Sequence, residues 1–124
     1  MRKVCRACEG WEKPLPAAEA DRLLAQVPGW EIREGKVHRL FAFKDFKEAM
    51  TFVNMVADLA EREGHHPDIT ILWNKVTLDL VTHAIKGLSE NDFIVAAKTN
   101  EIVETMRRAA SPDAAVGIPT GMSG

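Results

Sequence analysis

Residues 61–92 read E-R-E-G-H-H-P-D-I-T-I-L-W-N-K-V-T-L-D-L-V-T-H-A-I-K-G-L-S-E-N-D, and this stretch decides the fold. Gly64 is a natural left-handed residue for ending a helix, and Pro67 keeps that helix from resuming. Ile69, Ile71 and Trp73 then alternate with Thr70 and Leu72, which predicts a strand. Asn74-Lys75 makes a turn. Val76, Leu78, Leu80 and Thr82 alternate with Thr77, Asp79, Val81 and His83, a second strand with a clear period of two. Gly87 breaks this strand. Ser89 caps a last helix, and Asp92 completes a capping-box pattern three residues later, with Asp in place of the usual Glu.

Upstream, Asp45 is a good N-cap. From it Phe46, Ala49, Met50, Val53, Val56, Ala57 and Ala60 recur at spacings of three and four, the strongest amphipathic helix in the chain. Trp30–Arg33 and Lys36–Phe43 read as two strands joined at Glu34-Gly35. Before them, Pro16 opens a helix over Ala17–Gln26 that Pro28-Gly29 ends. Phe93, Ala96, Ala97 and Val103 mark the apolar side of the last helix. Residues 1–16 read as an irregular lead-in, 17–108 as one domain, and 109–124, without periodicity, as a disordered tail. The order α-β-β-α-β-β-α predicts an α+β domain: a four-stranded, mostly antiparallel sheet with helices packed on one face. The other face and the outer strands are left for self-association.

At 124 residues, 46% apolar and 27% charged, the chain suits a single folded domain. A net charge of −2 gives no footprint for nucleic acid, and no apolar run approaches the ~20 residues of a membrane helix. No apolar segment follows the basic start Met1-Arg2-Lys3-Val4, so no secretory signal is expected. Two cysteines then point to a reducing cytoplasm.

Three of the four histidines fall within this stretch. Histidine alone can give and take a proton near neutral pH without a large pKa shift. His65 and His66 lie between the helix stop and the strand, so as neighbours in an extended segment their side chains point in different directions. If the two strands fold back about Asn74-Lys75, His83 at the end of the second comes near His66 and Pro67. Three imidazoles then share one end of a sheet, a setting for acid–base chemistry. Asp92 is either a helix cap alone or a functional carboxylate. Glu61 is most simply a solvated residue, and Trp73 is either a packing residue or an aromatic wall for a flat heterocycle. His38, alone in its strand, is assigned no role. Three histidines and a carboxylate could hold zinc, but there is no H-E-x-x-H and adjacent histidines rarely ligate one ion, so no metal is expected. Cys5-x-x-Cys8 has no second pair and reads as two free thiols. Neither a nucleophile elbow nor a Gly-rich phosphate loop is present.

The spacing Glu61-x3-His65-His66-Pro67-x5-Trp73-x9-His83-x8-Asp92 resembles the signature of the pterin-4a-carbinolamine dehydratases. So do P-G-W at 28–30, F-x-F-K-D-F at 41–46, W-N-K-V at 73–76, T-H at 82–83 and G-L-S-E-N-D at 87–92. The similarity spans about residues 15 to 106. It implies a 4a-hydroxytetrahydrobiopterin dehydratase, a hydro-lyase that needs no cofactor. The product is the quinonoid dihydropterin, in recycling of the cofactor of aromatic amino-acid hydroxylases. It also implies that His65 and His83 are acid–base groups, that His66 binds and orients the pterin, that Asp92 supports the cluster, and that Glu61 and Trp73 line or brace the site. Family members form homodimers or homotetramers. Two other roles are compatible with the resemblance. One is a non-catalytic dimerisation partner, as an animal relative is for a homeodomain transcription factor. The other is a pterin role in molybdopterin metabolism. Lys86 stands where many members have a small residue.

Overall fold

A computed structural model describes residues 13–110. Cys5, Cys8, most of the expected lead-in and the tail from residue 111 lie outside the described residues. The elements are α1 (Ala17–Leu24), β1 (Glu31–Arg33), β2 (Lys36–Ala42), α2 (Phe46–Glu63), β3 (Asp68–Leu72), β4 (Lys75–Leu80), a short 3-10 turn (His83–Ile85) and α3 (Glu90–Ala110). The four strands form one sheet in the order β1-β2-β4-β3, every neighbouring pair antiparallel. The expected α+β architecture is present, and α3 includes the first two residues of the segment read as tail.

Strand alternation divides the sheet cleanly. Val37, Phe41, Val76, Leu78 and Leu80 face the helices and are buried. Phe52 of α2 stacks its ring 4.7 Å from Phe41 and 4.9 Å from Phe43. Helix α2 begins where expected: Asp45 accepts from the Glu48 amide at 2.8 Å, and Glu48 accepts in return from the Lys44 amide at 2.9 Å. It ends at Gly64, φ 65°. Its buried face differs from the stripe read in sequence. Ala49, Phe52, Val56, Leu59 and Ala60 point inward, while Phe46 and Ala57 lie outside. The period tolerates either stripe, and the burial of Phe52 and Leu59 decides. A half-buried Lys98–Glu63 pair, 2.6 Å apart, ties α3 to α2.

Three boundaries are corrected. Trp30 is not the first residue of β1. Its ring is buried and its indole N–H donates to Asn100 Oδ1 at 2.8 Å, which anchors the hairpin to α3. The β3–β4 turn is Trp73-Asn74, since Leu72 pairs with Lys75. Trp73 there has φ 54°, a costly conformation for a bulky residue. Asn74 docks this turn on the end of β2, donating from Nδ2 to the Phe43 carbonyl at 2.7 Å while its own carbonyl accepts from the Phe43 amide at 2.9 Å. Finally, β4 stops at Leu80 rather than continuing to His83. Thr82 makes an isolated bridge with Gly87, and the chain turns away at once into the 3-10 segment.

The opposite sheet face is open: Leu40 and Leu72 are more than half exposed. The two faces make a direct contrast. Leu78→Ala, at a fully buried position, is expected to lower unfolding free energy by about 3 kcal/mol in urea titrations. Leu72→Ala, in the same hairpin, is expected to change it by less than about 0.5 kcal/mol. Equal effects would contradict the assignment of faces.

Candidate active site

The site is built around one carboxylate. Asp92, in the first turn of α3, is fully buried. A carboxylate can be taken out of water only if its lone pairs are matched, and this one has three partners. Oδ2 accepts from the Ser89 amide at 2.9 Å and from Thr82 Oγ1 at 3.0 Å. Oδ1 faces His65 Nε2 at 2.7 Å. The position at a helix N-terminus adds a favourable dipole. The hydroxyls arrange themselves by elimination. Thr82 spends its one hydrogen on Asp92, so the 2.7 Å contact between Thr82 and Ser89 must have Ser89 as donor. Ser89 Oγ in turn accepts from the Asn91 amide at 3.2 Å. The result is a buried relay from Asn91 through Ser89 and Thr82 to Asp92, in which each bond polarises the next.

This relay makes a chemical statement about His65. An Asp92 already accepting from an amide and a hydroxyl acts toward the ring as a third-time acceptor, so Nε2 carries the hydrogen. Nδ1 is then the nitrogen left with a lone pair. Gly64 positions the ring: it turns the chain out of α2, and the His65 amide still bonds back to the Ala60 carbonyl at 3.2 Å. His66 turns the other way. Its Nε2 lies 2.5 Å from Glu61 Oε2, one helical turn back on α2, with both side chains largely exposed. His83 is exposed and opens the 3-10 turn immediately after Thr82.

The structure therefore joins His65, Asp92 and the Thr82–His83 corner through hydrogen bonds, and joins His66 to Glu61. Trp73 is not brought to the histidines. It sits at the tip of the β3–β4 hairpin, and His66 precedes the other end of β3, about 17 Å of strand away. Thr82 and Ser89 were not singled out in sequence as site residues, although Ser89 at a cap and Thr82 before His83 were visible there. His38, given no role, pairs across the open sheet face with Asp79 at 2.7 Å. Among the described residues no three His, Cys, Asp or Glu side chains are grouped to hold a metal ion, and no helix is long and apolar enough to cross a membrane.

The relay can be tested without any assay of activity. In wild type, nitrogen NMR of His65 is expected to report the Nε2–H tautomer. In Asp92→Asn the carboxamide can keep accepting from Ser89 and Thr82 only by presenting its NH2 to His65, and the ring is expected to switch to Nδ1–H. An unchanged tautomer would contradict the hydrogen-bond assignment.

Comparison with known proteins identifies the family. The sequence profile of the family described as "Pterin 4 alpha carbinolamine dehydratase" matches residues 13–102. A relative from Methylococcus capsulatus, provisionally named as a pterin-4-alpha-carbinolamine dehydratase, is 48% identical over 102 residues, covering 81% of this chain and 90% of the relative. A relative from Rubrobacter xylanophilus with the same provisional name is 45% identical over 101 residues, covering 81% and 94%. The crystal structure of a protein titled "transcriptional coactivator/pterin dehydratase" from Brucella melitensis superposes with a TM-score of 0.69 at 35% identity, over 73% of this chain and 98% of that one. With nearly its whole described length matched, the chain belongs to the pterin-4-alpha-carbinolamine dehydratase family.

Proposed function

We propose that the chain dehydrates a 4a-hydroxytetrahydropterin to the quinonoid dihydropterin by histidine acid–base catalysis. The observation that carries this reading is the orientation of His65: Asp92 holds Nε2 at 2.7 Å, which leaves Nδ1 free to act as a base. In the proposed step the C4a–O bond breaks, the hydroxyl takes a proton and leaves as water, and N5 gives up its hydrogen as the C4a=N5 double bond forms. One proton is gained and one lost, and no electrons are exchanged, so proton transfer suffices. We assign removal of the N5 hydrogen to His65 and protonation of the leaving hydroxyl to His83, which is open to solvent just beyond the relay. His66, braced by Glu61, binds and orients the heterocycle.

The setting we infer is recycling of tetrahydrobiopterin for aromatic amino-acid hydroxylation, in the cytoplasm. Leu40 and Leu72 on the open sheet face favour a homodimer or homotetramer. A purely structural partner role is disfavoured, because a scaffold has no use for an imidazole held in one orientation by a buried carboxylate.

The assay follows quinonoid dihydropterin formation from the 4a-hydroxy compound. His65→Ala and His83→Ala are each expected to lower kcat by about 10² to 10⁴-fold. His66→Ala is expected to act mainly on KM. Equal acceleration by wild type and both kcat variants would overturn the assignment.

A further inference from the structure

At the far end of α3 a second polar constellation has no part in the histidine site. Arg39 occupies a helix-facing position of β2, between Val37 and Phe41. Its guanidinium lies 4.5 Å from the centre of the Phe41 ring. Nη1 donates to Asn100 Oδ1 at 2.7 Å and to the Pro28 carbonyl at 3.4 Å. Both acceptors are neutral, and Nε and Nη2 have none among the described residues. Gly29, φ 90°, gives the group its room, since a Cβ there would stand 2.7 Å from Arg39 Cζ. Burial, and then the positive charge of Arg107, hold Arg39 below the usual guanidinium range. Neither arginine pairs with a carboxylate among the described residues.

The local topology explains why space remains here. Strand β1 covers β2 only over Lys36–His38, so beyond that point no strand among the described residues lies between the edge of β2 and the C-terminal half of α3. Two hollows of about 390 and 270 Å³ open there, and Arg39, Val103 and Arg107 line both. The larger is walled by Phe41, Phe43 and Met106. Each hollow also has one carboxylate at its lining. Glu48 in the larger accepts from the Lys44 amide, and Glu104 in the smaller faces Arg108 at 3.7 Å.

We propose that this double hollow binds a small organic anion, with a carboxylate or phosphate head between the two guanidiniums and an apolar body against Phe41, Phe43 and Met106. A forked guanidinium with unspent N–H groups is the group best suited to a planar or tetrahedral oxyanion. A second cation beside it is repulsive until an anion arrives. The place is separate from the histidines: Arg107 lies fifteen residues beyond Asp92, about 22 Å along α3.

The test is a titration of the full chain with 3-phenylpropionate, phenyl phosphate, inorganic phosphate and the uncharged 3-phenylpropanol. The readouts are the Arg39 Nε–H signal and the indole N–H signal of Trp30, which shares Asn100 with Arg39. Saturable shifts with the aromatic anions, weaker binding of inorganic phosphate and no response to the alcohol are expected, and the stronger aromatic anion identifies the head group. Arg107→Gln, on the exposed helix surface, is expected to weaken that binding about tenfold while leaving dehydration turnover and Tm unchanged. Arg39→Gln is expected to abolish it. An equal response to the alcohol, inorganic phosphate binding as tightly as the aromatic anions, no saturable shift with any anion, or undiminished binding in Arg107→Gln would each overturn the proposal.

Discussion

The structure depends on one buried negative charge. Asp92 has no contact with solvent, and a carboxylate in that position would be strongly destabilising without its full set of donors. Those donors come from three separate parts of the chain: the cap of α3, the corner after β4, and the segment leaving α2. Satisfying Asp92 therefore requires that the end of α2, the exit of β4 and the start of α3 meet at one point. The constraint that closes the fold at this end also sets the orientation of the imidazole on which the proposed chemistry rests.

The division of labour within the sheet follows from the same geometry. One face supplies the core, through Val37, Phe41, Val76, Leu78 and Leu80 against Phe52 and Leu59. One end carries the histidines, because both strands of the β3–β4 hairpin have their open ends there and α2 and α3 abut it. The other end carries the Trp73-Asn74 turn and, beside β2, the arginine-lined hollows. The proposed chemistry and the proposed second ligand thus fall at opposite ends of one scaffold, with α3 running between them.

Much of this was legible in the residues because the signals are local. Gly64 and Pro67 mark the end of α2, the pair Ser89 and Asp92 marks the start of α3, and strict alternation from Val76 to Leu80 marks the central strand. Hairpin register alone placed His65, His66 and the corner bearing His83 at one end. What was not legible depends on partners distant in sequence. Period-two alternation runs on to His83, but the Thr82–Gly87 bridge and the Thr82 bond to Asp92 pull the chain out of the strand after Leu80, three residues earlier. Trp73 fits the alternation equally well, yet Asn74 is tied to Phe43, and this draws Trp73 into the turn and away from the histidines. In α2, spacing could not choose between two overlapping stripes until Phe52 met the rings of β2. Nothing in the Lys36–Phe43 strand segment singles out Arg39, and only the short reach of β1 shows the space beside it.

The central claim is that Asp92 serves chemistry through His65 and not independently of it. The most direct measurement is a double-mutant cycle on dehydration turnover with Asp92→Asn, His65→Ala and the two combined. If Asp92 acts by orienting His65, the double variant will retain the same residual rate as His65→Ala alone. A double variant whose loss equals the product of the two single losses would show the two residues acting separately and would contradict the account.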